Sequence, residues 1–419
     1  VGYDFGQVAL SNNKRMFDVV IVGAGPAGNL AAQRLATAGR SVAVLDWRRD
    51  IGDKLCTGII GRECKEAYPP APEHILRATD SATVVAPSGQ SFTIKKQSPQ
   101  AYVVDRVAYV ASFAERAMAA GAEYVLGPRV TDINVGRHNV TVTTPLNNES
   151  QTQTWKARAL VLASGFGSPL VRMAGIDVSS GSAFMTGSQA EAVVDGLDTT
   201  RVYLGSKVAP GSFGWVVPIS DTRALVGLVT RQKLNGHMSD FVSALRADGT
   251  VNDVVESPQR WGIPIRPLSR TYGERVIVAG DAAGLAKPTT GGGIYYALLS
   301  GEIAAKTLNE ALSEDDLSAR RLKKYEQAWK SKLGKELKIG YYARLMYEAL
   351  GDRQIEFLLR ELMSDRVRPE LLDSEDVSFD WHSGFIKQAL AHRTVGRALL
   401  ALGPAGLHSV AGGIRSLAG

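Results

Sequence analysis

The sequence predicts an α/β protein in three parts: a parallel-sheet domain opened by a βαβ unit, an inserted and mainly antiparallel β domain, and a helical C-terminal region. Three observations predict it. Residues 17–22 (FDVVIV) form a continuous β-branched run that leads through a glycine turn into the helical pattern of 27–38, stopped at Gly39, and on to a second apolar run at 41–45 (SVAVL). From about 182 to 265, short strand patterns such as RVYLGS, FGWVVP and ALVGLVT dominate. From Gly293 onward the chain is mostly helical and charged.

The opening unit requires a right-handed crossover, as nearly all parallel βαβ connections do. Residues 68–98, rich in proline and serine and alternating through ATVVAPSGQSFTIKK, read as a hairpin of a different sheet. The chain returns at Asp105, an acidic N-cap before Val107, Val110, Phe113, Ala114 and Ala117, with Gly121 as the stop. Residues 124–126, 130–135 and 140–144 alternate like antiparallel strands, 159–163 (ALVLA) is another buried run, and one helix is expected near 239–246. Residues 275–279 (RVIVA) form a buried strand that runs into GDAAG. Further on, Lys323, Lys324, Lys330, Lys332, Lys335 and Lys338 interleave with Leu322, Tyr325, Trp329, Leu333 and Leu337, the pattern of one helix packed on a core with a solvated basic face.

Composition sets the class. At about 150 residues per domain, 419 residues make two or three domains, and 45% hydrophobic with 21% charged residues excludes a fibrous or disordered chain. Two cysteines, Cys56 and Cys64, cannot build a disulfide framework, and the six histidines show no metal-ligand spacing, so a reducing compartment and no structural zinc are expected. A net charge of +6 without basic runs interleaved with aromatics gives no nucleic-acid footprint. The longest apolar stretches fall short of the ~20 residues that span a bilayer. The chain opens on Val1 rather than methionine, which leaves upstream residues an open question, and VGYDFGQVALSNNKR lacks the apolar core of a signal peptide.

The chemistry begins at Gly23-Ala24-Gly25-Pro26-Ala27-Gly28, a G-x-G-x-x-G between strand and helix with Asp46 at the tip of the next strand. Gly23 allows the tight turn, Gly25 lets backbone approach a pyrophosphate, Gly28 lets helix meet strand, and Asp46 accepts from ribose hydroxyls. The motif alone leaves NAD and FAD open. A second site, VIVAGDAAGLAKPTTGGGIYYALLSG, favours FAD, which is long enough to need both: Gly280-Asp281 is placed for the ribityl side, and the N–H groups of Gly291, Gly292 and Gly293 for negative charge on a reduced flavin. Arg106, at the start of a helix, is either solvated or beside the cofactor, and the two motifs favour the second. Trp47 and Arg48 after Asp46, Val130, and Ile294 after the glycine loop complete the candidate cofactor set with Ser164 and Gly165.

These residues resemble a known family. DVVIVGAGPAGNLAA, the Asp105-Arg106 pair and VAGDAAGLAKPTTGGGI are together similar to the geranylgeranyl reductase family of flavoproteins, within the group that shares the para-hydroxybenzoate hydroxylase fold, over about Phe17 to Thr307. Asp53-Lys54-Leu55-Cys56-Thr57-Gly58-Ile59 is similar to that family's Lys-x-Cys-Gly stretch, whose cysteine lies near the flavin, with Thr57 where a glycine is common. Residues 210–218 (PGSFGWVVP) look like its PxxYxWxFP motif, with Phe213 replacing Tyr and Val217 replacing Phe. Ser164 stands where hydroxylase-like relatives carry an Asp-Gly acid, which counts against a simple NADPH-driven monooxygenase.

The resemblance implies a Rossmann-like FAD-binding domain in three pieces (17–67, 105–178 and 271–310), a substrate-domain hairpin (68–104), an antiparallel substrate domain (179–270) and a helical C-terminal region (311–419). It implies an FAD-dependent reductase that saturates C=C bonds of a polyprenyl group on a lipid or quinone, with NAD(P)H or ferredoxin as electron donor. Cys56 is the candidate proton donor or else a small buried hydrophobe, and Trp215 or Phe213 the aromatic face for cationic character. The alternatives are an FAD monooxygenase of an aromatic substrate and a flavoprotein that passes electrons to a membrane quinone. Beyond Asp380, Lys387, Arg393, Arg397 and Arg415 with no acid suggest a surface for anionic membranes or a packed tail. The expected location is the cytoplasm, with peripheral contact at the inner face of a membrane.

Overall fold

A computed structural model describes residues 15–146, 151–179, 183–234, 236–365, 367–372, 377–393 and 395. The first sheet runs β18 (Tyr272–Gly273), β19 (Val276–Val278), β11 (Thr152–Leu162), β1 (Met16–Val22), β2 (Val42–Asp46) and β8 (Glu123–Leu126), with β10 (Val140–Pro145) on β11 and β9 (Asp132–Val135) on β10. β1 is central and parallel to both β11 and β2, which is why FDVVIV is apolar on both faces. β8 differs from its alternating sequence pattern: it pairs parallel with β2. As an edge strand it keeps one face partly solvated, so it alternates without being antiparallel.

The second sheet runs β16 (Asp253–Val254), β12 (Phe184–Val193), β15 (Arg223–Thr230), β14 (Phe213–Pro218), β13 (Thr200–Leu204), β5 (Ser81–Val85) and β6 (Ser91–Lys95), with β17 (Gln259–Pro264) on β12. The β5–β6 hairpin joins this sheet through a parallel β13–β5 pairing. The ends of the 68–104 segment do not. β4 (Ile75–Thr79) and β7 (Ala101–Val104) form a separate three-stranded sheet with β3 (Ile59–Gly61), directly after the Cys56 loop.

The helices are α1 (Pro26–Thr37), α2 (Arg62–Ala67), α3 (Arg106–Ala119), α4 (Leu170–Met173), α5 (His237–Ala247), α6 (Ile294–Ser313), α7 (Ala319–Glu348), α8 (Asp352–Leu362), α9 (Arg368–Leu371) and α10 (Ser383–Ala391). α7 starts where the Ser318 side chain accepts the N–H of Arg321, an N-cap. It buries Leu322, Tyr325, Trp329, Leu333 and Leu337 and leaves Lys323, Lys324, Lys330, Lys332, Lys335 and Lys338 exposed. Two buried polar tips are satisfied against the sheet: Tyr325 OH donates to the Val278 carbonyl at 2.9 Å and Trp329 Nε1 to Thr271 Oγ1 at 2.8 Å. Truncating a side chain like Trp329 to alanine costs about 3–5 kcal/mol.

α1 is squeezed between α3 and α6. Its alanines permit this, and on α6 Gly301 completes the approach, because a Cβ there would lie 2.3 Å from the Ala27 carbonyl oxygen. Gly301→Ala gains ~1 kcal/mol of helix propensity but forces two backbones apart, at a cost of about 1–3 kcal/mol. The expected outcome is a lower urea midpoint with an unchanged slope. A midpoint at or above that of the parent would show that α1 and α6 separate freely.

Candidate active site

The floor of the site is the β1–α1 loop. Gly23 takes φ +112°, and a Cβ on it would lie 2.2 Å from the Ala163 carbonyl oxygen just beyond β11. A Cβ on Gly28 would lie 1.9 Å from the Gly23 carbonyl oxygen, whereas one on Gly25 would meet no heavy atom within 4 Å. Gly23 and Gly28 therefore serve the packing of the chain, and Gly25 faces open space. Pro26 opens α1 where no N–H is needed for the helix, so the helix end presents its remaining donors and positive dipole to that space.

Asp46 braces the loop. Its Oδ2 accepts the Ala24 N–H at 2.7 Å and its Oδ1 the Arg48 N–H at 2.8 Å, and each oxygen keeps a lone pair. Beside it Trp47, 47% exposed, carries the guanidinium groups of Arg48 and Arg129 at 4.4 and 4.6 Å from its ring centroid.

From here a cleft of about 650 Å³ passes Arg106, Ser164 and Gly165 and ends among Gly280, Asp281, Gly291 and Gly293. One wall is the loop that carries Cys56. Arg106 holds this loop by its main chain, donating to the carbonyls of Gly52 and, at 2.8 Å, Lys54. Lys54 Nζ reaches across to Asp281 Oδ2 at 2.5 Å. Thr57 Oγ1 donates to Gln189 Oε1 on β12 at 2.9 Å, which joins the loop to the second sheet. Cys56 Sγ accepts the Gly58 N–H at 3.5 Å, so the thiol proton remains free to donate.

The cleft has the marks of a site for a long polar ligand. Ser164 Oγ and Arg106 Nε are buried and have no hydrogen-bond partner among the described residues, although both residues line the cleft. Unpaired buried polar atoms cost free energy that a bound molecule recovers. Together with the open space at Gly25, they fit a dinucleotide spanning both glycine motifs.

Comparison with known proteins decides the family. Residues 17–204 match the family model described as pyridine nucleotide-disulphide oxidoreductase. Digeranylgeranylglycerophospholipid reductase 2 of Methanopyrus kandleri is 32% identical over 380 residues, covering 86% of this chain and 91% of that protein. The chain belongs to the digeranylgeranylglycerophospholipid reductase family. The corresponding reductase 1 of Methanococcoides burtonii is 29% identical over 377 residues, covering 86% of this chain and 91% of the relative. The solved structure of a geranylgeranyl bacteriochlorophyll reductase-like protein from Thermoplasma acidophilum superposes with a TM-score of 0.80 at 24% identity, over 93% of this chain and 99% of that one, and shows the same fold.

The reductase is accordingly an FAD-dependent oxidoreductase. Of the residues expected at the cofactor, Gly23, Gly25, Pro26, Ala27, Asp46, Trp47, Arg48, Cys56, Arg106, Val130, Ser164, Gly165, Gly280, Asp281, Gly291, Gly293 and Ile294 line this cleft. Gly28 and Gly292 are not part of its lining. The three loop amides are not equivalent donors: Gly291 N–H is spent on the Lys287 carbonyl at 2.8 Å and Gly292 N–H lies 3.4 Å from Thr290 Oγ1. Gly293, the N-cap of α6, is the one whose N–H has no intrachain acceptor among the described residues.

Trp215 and Phe213 are not on the cleft wall. Trp215 is 7% exposed and packs edge-on against Trp261, with ring centroids 6.4 Å apart, and it is Trp261 that lines the cleft. Phe213 packs against Trp215 in turn, at 5.9 Å. Lys54, Arg129 and Trp261 were missed as site residues. Lys54 had a signal in its place beside Cys56, whereas nothing local marks Arg129 or Trp261.

Gly25→Val is expected to fold with the stability of the parent, since its Cβ meets nothing, and to be purified without FAD, since the branched side chain fills the cleft. Absorbance of the bound flavin together with a melting curve checks both. Full FAD occupancy would remove the pyrophosphate from this loop.

Proposed function

We propose that this protein saturates C=C bonds of geranylgeranyl chains on a glycerophospholipid, drawing electrons from NAD(P)H or a ferredoxin. The observation that carries the reading is the relationship to reductases named for that lipid, 32% identity over 91% of one of them. The cleft supports it, because beside its polar groups the lining that includes Cys56 carries the apolar side chains of Leu55, Phe166, Trp261 and Ile263. The monooxygenase and quinone-relay readings have no comparable support.

Bound FAD supplies the hydride chemistry. An isolated alkene accepts hydride poorly unless a proton reaches it, so this chain has to place a proton source and exclude water. Cys56 is the group we assign as that source: its loop is fixed at Gly52, Lys54 and Thr57, and its thiol lies on the cleft wall. Trp261, which lines the cleft and is held in a T-shaped pair with Trp215, is the aromatic ring we assign to the electron-deficient carbon. Lys54, paired with Asp281, places a cation at the polar end of the same cleft.

The decisive measurement is anaerobic incubation of the dithionite-reduced protein with candidate prenyl lipids, followed by mass spectrometry. Two hydrogens gained per bond is the expected product. One oxygen gained under air would indicate the monooxygenase, and no change of mass with oxidation of the flavin by quinone would indicate the relay. Cys56→Ala should keep FAD and lose ~10²- to 10⁴-fold in single-turnover reduction, and Cys56→Ser, of similar size but a far weaker acid, should be equally slow. Wild-type rates in both would leave Cys56 as packing.

We further place the protein on anionic membrane surfaces. No helix among the described residues is long and apolar enough to cross a membrane. Lys387 lies on α10 and Arg393 just after it, whereas Arg397 and Arg415 lie outside the described residues. At ~1 kcal/mol per basic residue, screened over about 8 Å, binding should be weak and lost in high salt. Liposome flotation at low salt with and without the tail reads this out, and equal recovery would refute it.

A further inference from the structure

Behind the Gly291–Gly293 end of the cleft lies a buried ion pair that the proposed chemistry does not use. Lys287 Nζ and Asp380 Oδ1 are 3.0 Å apart, with side chains 5% and 1% exposed. Nζ also donates to the Phe379 carbonyl at 2.8 Å and stands 4.6 Å from the Phe379 ring centroid. Asp380 uses its other oxygen to accept the Cys64 N–H at 2.9 Å, and a Cβ on Gly61 would lie 2.3 Å from that oxygen. The carboxylate is thus seated against α2 on one side and the ammonium on the other.

The segment around it is stitched down at each residue. The Ser378 hydroxyl accepts the N–H groups of Asp380 and Trp381, Tyr296 OH donates to the Asp380 carbonyl at 3.2 Å, and Trp381 packs on Tyr295 and Tyr296. Glu336 of α7 accepts the N–H groups of His382 and Ser383. His382 sits between two neutral partners: its Nε2 donates to the Phe379 carbonyl at 2.9 Å, which leaves Nδ1 to accept the Thr289 hydroxyl at 2.5 Å. Burial, with the Lys287 charge beside it, pushes the imidazole down to about 4, in keeping with that single tautomer.

What this segment grips is the cofactor loop. The Lys287 N–H donates to the Gly292 carbonyl at 3.0 Å and the Lys287 carbonyl accepts the Gly291 N–H at 2.8 Å, so the main chain of Lys287 closes the turn that delivers Gly293 to the cleft. Its side chain is fixed by a residue 93 positions later. We propose that Lys287 and Asp380 are positioning residues for FAD: the strap of residues 378–383 holds the glycine loop from behind and so sets where its free amide stands. The inference rests on the FAD site alone, so its failure leaves the lipid reading untouched.

The test is FAD retention on dilution of the holoenzyme, followed by the fluorescence of released FAD, beside a melting curve. Lys287→Met and Asp380→Leu each leave a buried charge without its partner, and each should lower both the melting temperature and, by about 10- to 100-fold, the FAD affinity. The double variant removes both charges. It should melt above either single variant, short of the wild type because the Cys64 N–H has lost its acceptor, yet still hold FAD about tenfold more weakly, because the loop has lost its side-chain anchor. Thr289→Val, which spares the ion pair but leaves His382 Nδ1 without its donor, should weaken FAD binding by less and lower the melting temperature by less than either single charge variant. If the double variant binds FAD as the wild type does, the pair contributes stability only and the proposal is wrong. The double variant decides the matter even if the single variants fail to fold.

Discussion

The structure depends on backbone meeting backbone where β1 passes into α1. Gly23, Gly28 and the Ala163 carbonyl leave no space for a Cβ between them, and on the other side of α1 Gly301 does the same against Ala27. Three stretches separated by more than a hundred residues are thereby brought to one point. The first two follow directly on the parallel strands β1 and β11, and α6 follows the loop beyond β19, so the cleft opens at the carboxyl ends of the strands, where an α/β sheet has unpaired donors to offer. The packing constraint and the binding site are one feature: the glycines that let the chain close are neighbours of the glycine that leaves room for a ligand.

A second layer of constraint is electrostatic and runs through side chains. Lys54–Asp281 lies at the cleft wall, partly solvated, and Lys287–Asp380 lies behind it, dry. Their energetics differ accordingly. A partly solvated pair is screened and exchanges readily with a ligand or water. A dry pair is strongly destabilising to break and adds little net stability over apolar residues of the same shape, so its presence is better accounted for by the geometry it fixes than by the energy it contributes. The first pair therefore suits the part of the site that meets the ligand, and the second the part that must not move.

What the sequence discloses follows the range of the interactions. The β1–α1 turn, the α3 cap at Asp105 and the buried stripe of α7 are set by residues within a few positions of each other, and each is legible. The cleft-lining residues near the two glycine motifs are legible for the same reason. Trp215 shows where this ends. Alternation along β14 tells that Phe213, Trp215 and Val217 share a face, but which neighbour covers that face is decided by β17, paired to β12, and so it is Trp261 that reaches the cleft. The edge position of β8 and the ion pair from loop to strap are hidden likewise, since each joins residues far apart in sequence with no local mark. The equivalence assumed for the three glycine amides fails because hydrogen bonding inside the turn consumes one of them and engages a second.

The Cys56 loop shows how one side-chain hydroxyl can add a constraint. Loops vary more in position than the elements they connect, so a loop that lines a site needs ties of its own. Here Arg106 fixes the loop through main-chain carbonyls, which restrains its path without dictating the side chains at 53 and 55. Thr57 supplies a hydroxyl that donates to the Gln189 side-chain carbonyl on β12 and so links the loop to the second sheet. Loss of that hydroxyl would leave a buried acceptor unpaired as well as freeing the loop. The cysteine is thus tied to the helix that frames the cofactor cleft and to the sheet that carries the apolar wall, and a change in either reaches the thiol through the residue next to it.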